Sequence, residues 1–257
     1  MASETPQAVM VTGAGRSIGR AVAERFHAAG ARVHICCVTD ESLEDVLGAN
    51  PGMSGSIADV GSAEDVARWF EEGLEALGGL DVLVNNAGIS GPRAPVEEIE
   101  DDEWYRVIEV NLNGMFHCIK RAVPVMKAQG SGAIINISSA STRVGMPLRT
   151  SYITTKCAVD GMTMNLAREL GPAGIRCNAI LPGIIDNPRG RRLITHLAKE
   201  REQTVEEAHE RYVSFISTRS LISCEEVADA AFFLAQDSAR NITGQMIGVC
   251  GNLEWEE

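Results

Sequence analysis

The sequence predicts an α/β fold built on a single parallel sheet, and three observations carry that expectation. Short apolar runs of strand type alternate with segments of helical spacing throughout the 257 residues, as in strands joined by crossover helices. Val82-Leu83-Val84 and Ala133-Ile134-Ile135 are apolar at consecutive positions, which suits strands covered on both faces. Ala8-Val9-Met10-Val11-Thr12 runs directly into Gly13-Ala14-Gly15-Arg16-Ser17-Ile18-Gly19 and then a helical segment. The order is therefore strand, glycine turn, helix.

Strands are expected near 8–12, 32–38, 54–58, 81–85, 132–138, 175–181 and 245–250. Helices are expected near 17–29, 42–48, 62–77, 101–128, 151–171, 190–215 and 224–236. Gly30, Gly78/Gly79, Gly130 and Gly171 each follow a helical stretch, as C-terminal caps do. The acidic run from Glu97 to Glu103 suits the solvated start of the fourth helix, where negative charge meets the positive dipole end. No Pro/Gly/Ser-rich linker and no repeat divides the chain, so residues 1–257 read as one domain.

Composition excludes several classes. A net charge of −12 with no basic stripe argues against nucleic acid as a partner. No apolar run approaches the length of a membrane span. The N-terminus lacks the basic start and apolar core of a signal peptide, and a cytoplasmic location is expected. The seven cysteines form no C-x-x-C, and most lie in apolar runs as buried thiols do. The five histidines are scattered, so no metal site is expected.

Two motifs point to chemistry. A glycine turn between strand and helix lets backbone approach a pyrophosphate, and the helix N-terminus offers unpaired N–H groups. Tyr152 and Lys156 stand four residues apart, on one helix face, and Ser139 ends an apolar strand-like run thirteen residues before the tyrosine. A phenol with pKa ~10 is a poor base at neutral pH. A neighbouring ammonium favours the phenolate, giving a tyrosine able to exchange a proton near neutrality.

Thr12-Gly13-x-x-x-Ser17-x-Gly19, Asn85-Asn86-Ala87-Gly88, Asn111, Ser139, Tyr152/Lys156 and Pro182-Gly183 occur in this order. Together they resemble the short-chain dehydrogenase/reductase family from about residue 8 to residue 252. The resemblance implies a Rossmann-type, doubly wound, seven-stranded parallel sheet in the order 3-2-1-4-5-6-7. It implies a catalytic group of Asn111, Ser139, Tyr152 and Lys156, with the Asn111 carbonyl holding a water on a proton relay. It implies cofactor contacts from Gly13, Arg16, Ser17, Ile18, Gly19, Cys37, Asp59, Val60, Asn86, Ala87, Gly88, Pro182, Gly183, Ile185 and Asn187, with Tyr152 and Lys156 contributing to both. It further implies a homotetramer paired through the helices at 101–128 and 151–171 and through the last strand. An apolar stripe of Ala158, Val159, Met162 and Leu166 fits that pairing, although core packing explains it equally well.

The chain departs from the family pattern at four places. Ser17 replaces a usual glycine, where a helix N-cap is wanted and serine serves. Asn187 replaces a usual threonine. Cys37 and Cys250 stand at usual aspartate positions. A thiol at position 37 cannot accept both hydroxyls of an adenine ribose, and it does not repel a 2′-phosphate. Arg16 adds a positive charge in the glycine loop, whereas Asp40 and Glu41 oppose one nearby. The cofactor is expected to be NADP or NAD, with NADP slightly favoured.

The expected reaction is hydride transfer between a nicotinamide and a secondary alcohol or ketone. The substrate pocket should be shaped by the variable region 183–215. Arg149, three residues before Tyr152, and Arg189, after the Pro182-Gly183 turn, are either surface arginines or a pair at the pocket mouth that grips a carboxylate, and the flanking segments look like the branch acting on sugar acids and polyols. The alternatives are a 3-ketoacyl-carrier-protein reductase and a non-catalytic nucleotide-sensing relative. An acidic carrier fits poorly with a −12 chain. Relatives without activity usually lose the tyrosine or the lysine, and both are present.

Overall fold

The computed structural model describes residues 6–254; Met1–Thr5, the start of the expected N-terminal reading, lie outside them. Seven strands form: β1 (Ala8–Thr12), β2 (Arg32–Cys37), β3 (Ser54–Ile57), β4 (Val82–Asn85), β5 (Gly132–Ile137), β6 (Ile175–Pro182) and β7 (Met246–Val249). They make one sheet of order β3-β2-β1-β4-β5-β6-β7, and every neighbouring pair is parallel. The order reverses between β1 and β4, leaving a crevice at their C-terminal ends.

Nine α-helices surround the sheet among the described residues: α1 (Ser17–Ala28), α2 (Asp40–Ala49), α3 (Ala63–Leu77), α4 (Asp101–Ile108), α5 (Gly114–Gln129), α6 (Thr150–Leu170), α7 (Pro188–Glu200), α8 (Val205–Ser214) and α9 (Cys224–Ala235). Consecutive strand residues point to opposite faces. Val9 and Val11 therefore enter one core with Val22, Phe26, Ala231 and Leu234 of α1 and α9. Ala8 and Met10 enter the other with Trp69, Met126 and Leu170 of α3, α5 and α6. This is why the strands read as unbroken apolar runs.

A polar pin crosses the second core. Asn85 Nδ2 donates to Asn136 Oδ1 at 2.9 Å, between residues already opposite in the β4–β5 ladder. Asn136 Nδ2 donates to Thr163 Oγ1 at 2.9 Å, and that hydroxyl donates to the Val159 carbonyl. A register slip would strand these buried groups without partners.

Four sequence expectations change. The helix expected over 101–128 contains a π-helical turn at Glu109–Asn113, where the Gly114 N–H reaches the Glu109 carbonyl. The helix expected over 190–215 is two helices. Thr204 begins the second with a capping box: its hydroxyl accepts from the Glu207 N–H, and the Glu207 carboxylate accepts from the Thr204 N–H. Gly171 has φ −53° and continues as a short 3₁₀ turn, and Gly174 at φ 75° ends it. Ser17 does not cap α1. Arg16 holds the N-cap position without a side-chain bond, and Ser17 has φ 52°.

The stripe on α6 is partly core. Val159 is fully buried, and Met162 and Leu166 pack against the same cluster. All seven cysteines are free thiols; five are buried, Cys224 is half-buried and Cys157 is exposed.

Candidate active site

The site is built at the C-terminal ends of β1, β4, β5 and β6. Thr12 ends β1, and its Oγ1 accepts from the N–H groups of Asn86 and Ala87 at 2.9 and 3.0 Å. Asn86 Nδ2 returns two bonds of 3.0 Å to the carbonyls of Thr12 and Gly13. The loops after β1 and β4 are thereby tied into one rigid floor. Gly13 has φ 63°, and a Cβ there would lie 2.9 Å from Ala87 Cα. A Cβ on Gly19 would overlap both Asn86 Nδ2 and the Gly13 carbonyl. Only glycine fits either position, and the start of α1 is left open to a ligand's phosphates.

Ser17 is the unusual member of this loop. A side chain at left-handed φ costs about 1–2 kcal/mol. Its hydroxyl accepts from Asn187 Nδ2 at 2.7 Å and lies 3.5 Å from Cys224 Sγ. Asn187 is the N-cap of α7, its Oδ1 accepting from the Gly190 N–H at 2.8 Å. Arg16 is exposed, and Ile18 packs against the first core.

At the adenosine end, β2 terminates at Cys37 as expected. A Cβ on Gly15 would lie 3.0 Å from Cys37 Sγ and 3.4 Å from Ser42 Oγ, so these groups line the glycine loop directly. Burial pushes the Cys37 thiol up to about 11, leaving it neutral near pH 7. Thr39 caps α2, and its hydroxyl is 2.6 Å from Ser42 Oγ. Sequence reasoning missed Thr39 and Ser42. The helix cap pattern after β2 was the available signal.

Asp59 and Val60 follow β3. The Asp59 carboxylate accepts from the Gly61 N–H at 2.9 Å and pairs with Arg106. Val60 is buried against Gly114 at the start of α5. Neither side chain projects freely.

Ser139, Tyr152 and Lys156 are positioned by β5 and α6. Lys156 is 4% exposed, and its Nζ donates to the Ile137 carbonyl at 2.7 Å. The same ammonium lies 5.8 Å from the centre of the Tyr152 ring. Ser139 follows β5 in extended conformation, and its Oγ is 2.6 Å from Ser141 Oγ. Ser141 was not singled out from sequence. Its backbone N–H also donates to Ser139 Oγ at 3.3 Å, so Ser139 is bonded twice by this residue.

Asn111 lies in the π-helical turn and is buried. Its Oδ1 accepts from the Ile89 N–H at 2.8 Å, and its Nδ2 donates to the Ile89 carbonyl and to Thr155 Oγ1 at 2.9 and 3.1 Å. A Cβ on Gly88 would lie 3.3 Å from Asn111 Oδ1 and 3.6 Å from Lys156 Nζ. The Gly88 segment, Asn111 and Lys156 therefore converge.

The segment after β6 closes the site. The Gly183 N–H bonds the Val249 carbonyl, and a Cβ on Gly183 would lie 2.9 Å from Cys250 Cα. Ile185 is buried beside Ile222. Of the two arginines expected to hold a substrate, Arg149 donates through Nη1 to the carbonyls of Gly91 and Pro92 at 3.1 and 3.4 Å. That ties it to the loop after β4. The Arg189 side chain lies outside the described ones. Arg93, in the loop after β4, pairs with Glu200 of α7 at 3.3 Å.

A family model described as enoyl-(acyl carrier protein) reductase matches residues 13–252. The 3-oxoacyl-(acyl-carrier-protein) reductase of Staphylococcus aureus is 34% identical over 252 residues, 96% of this chain and 98% of that protein. A variant of the actinorhodin polyketide ketoreductase, solved with NADPH, superposes with TM-score 0.92 at 32% identity, covering 98% of this chain and 99% of that one. NAD⁺-bound xylitol dehydrogenase superposes with TM-score 0.89 at 28% identity, covering 97% and 100%. Fold and relatives define an NAD(P)-dependent oxidoreductase acting on CH–OH groups. The chain belongs to the short-chain dehydrogenase/reductase family. Among the described residues no helix is long and apolar enough to cross a membrane.

Proposed function

We propose that the protein interconverts a secondary alcohol and a ketone on a small polar hydroxy compound or sugar acid, with Tyr152 as the proton-transfer group. The observation that carries this is the Lys156 ammonium, bonded to the Ile137 carbonyl and lying beside the Tyr152 ring. The cofactor, when bound, supplies or accepts the hydride. Its phosphates would be held at the Gly13–Gly19 cradle and its nicotinamide half between Gly88, Lys156 and the Pro182–Asn187 segment. Ser139, aligned by Ser141, donates a hydrogen bond to the reacting oxygen. The Tyr152 phenol passes the proton to or from that oxygen, and the Lys156 charge stabilises the phenolate. Asn111 holds the loop at Ile89 against α6 and keeps the Lys156 end of the site in place. Tyr-x-x-x-Lys spacing favours carbonyl over enoyl chemistry.

NADP is the favoured cofactor. Cys37 brings no negative charge, and the Thr39 and Ser42 hydroxyls and Arg16 lie around the same end of the glycine loop. A second reading, 3-ketoacyl-carrier-protein reduction, is supported by the Staphylococcus aureus relative. The engagement of Arg149 by backbone carbonyls also weakens the case for a carboxylate grip. A panel of sugar acids, polyols, simple ketones and a 3-ketoacyl thioester, each run with NADP(H) and NAD(H), separates the two. Turnover of the thioester alone would overturn the first reading. No turnover of any, with both cofactors bound, would overturn both. A cytoplasmic homotetramer completes the proposal. Tyr105, Phe116 and Met164 are exposed on α4, α5 and α6, the elements expected to pair.

A further inference from the structure

We infer that Ser17 and Asn187 form a clasp that fastens the start of α7 to the glycine loop, and that this clasp sets cofactor affinity. The affinity half rests on the nucleotide reading above; the clasp itself does not. The two residues are 170 positions apart, yet Asn187 Nδ2 lies 2.7 Å from Ser17 Oγ. The amide orientation is fixed independently, because Asn187 Oδ1 caps α7 through the Gly190 N–H at 2.8 Å. A flipped amide would set two donors against each other there. Ser17 Oγ is therefore the acceptor, and its own proton is free to turn toward Cys224 Sγ at 3.5 Å. Cys224 is the first residue of α9, so the beginnings of α1, α7 and α9 meet at one hydroxyl.

Two features mark this as a device rather than incidental contact. Ser17 holds φ 52°, a conformation glycine would adopt without strain. A side chain persists there when its surroundings over-determine it, and Asn187 and Cys224 are those surroundings. The segment before α7 is also held elsewhere by backbone alone, Ile222 N–H to the Ile184 carbonyl and Asp186 N–H to the Ile222 carbonyl. These bonds join it to the β-bridge at Ile222, not to the glycine loop. Ser17–Asn187 adds the connection between the two walls of the cofactor crevice.

The test is amide hydrogen exchange of residues 187–200 in the cofactor-free protein, for wild type, N187S, S17G and the double variant. N187S keeps a capping oxygen for α7 but is too short to reach Ser17 Oγ as well. S17G removes the acceptor and relieves the left-handed strain, so neither change threatens folding. Each single variant should exchange about tenfold faster, and the double variant no faster than the faster single. Unchanged exchange in N187S, or a double variant that multiplies the two effects, would overturn the clasp. Separately, S17G should weaken the equilibrium Kd for NADP and NAD about tenfold by fluorescence titration. An unchanged Kd would overturn the affinity half, as would a wild type that binds neither nucleotide. The exchange result judges the clasp in either case.

Discussion

The Lys156 ammonium donates to the Ile137 carbonyl at 2.7 Å while lying 5.8 Å from the centre of the Tyr152 ring. One strand end thus sets where the cation stands relative to the phenol. Lys156 stands beside the proposed proton-transfer group in a position set by the sheet.

Tyr152→Phe keeps the ring and its packing but removes the hydroxyl. Turnover should fall on the order of 100-fold or more with cofactor binding retained. Steady-state kinetics and a nucleotide titration check this, and a variant within a few-fold of wild type would remove Tyr152 from its assigned role.

Lys156→Ala should lower turnover and also raise the Kd for cofactor, because the ammonium faces the Gly88 segment as well as the phenol. A loss confined to turnover would mean that Lys156 does not meet the nucleotide.

Cys37→Asp places a carboxylate at the end of β2, beside Gly15 and Ser42. It can accept both ribose hydroxyls and repels a 2′-phosphate. A charged hydrogen bond contributes about 1.5–3 kcal/mol, so the ratio of kcat/KM for NAD over NADP should rise roughly tenfold or more. An unmoved ratio would mean that the adenosine ribose lies elsewhere.

What the sequence revealed follows from the range of each interaction. The strands were legible because both sheet faces are covered, so Val82-Leu83-Val84 carries no alternation to misread. Tyr152 and Lys156 were legible because a helix turn places them together. The π-helical turn at Glu109–Asn113 has no compositional mark, since its cause is the fit of Asn111 to Ile89 and Thr155. The break between α7 and α8 did carry a mark, the Thr204-x-x-Glu207 capping box, but no glycine or proline accompanies it. Ser17 misled because serine favours helix caps, whereas its partner Asn187 is distant in sequence. The bonds from Arg149 to the carbonyls of Gly91 and Pro92 were hidden for the same reason, since they reach another loop.

His34 gives the fold an acid sensitivity. Its Nδ1 is 2.8 Å from Ser54 Oγ, and its ring stacks on Trp69. Burial lowers its pKa from 6.5 to about 4, with Glu72 acting weakly in the opposite direction. The unfolded chain therefore takes up this proton first as pH falls. Stability is full above about pH 6.5 and declines toward pH 4, by at most about 3 kcal/mol from this group. Thermal melts between pH 7 and 4.5 should show a shallower fall in Tm for His34→Gln than for wild type. Parallel curves would assign the acid sensitivity to other groups.

Light scattering at micromolar concentration should give a mass of four chains. Phe116→Glu, at an exposed position of α5, should lower that mass without lowering helix content by circular dichroism. A monomeric wild type would leave Tyr105, Phe116 and Met164 as ordinary surface.

The π-helical turn also gives the α4–α5 rod a length register. It holds one residue more than an α-turn, so shortening it by one, for instance by deleting Asn113, would restore regular helical bonding while rotating α4 by about 100° about the shared axis. Arg106 would swing away from Asp59, and Asn111 would leave the Ile89 loop. Lineages carrying this site therefore face a length constraint here: a deletion that makes a better helix would dismantle the wall of the crevice, whereas point substitutions on the outer face leave it standing.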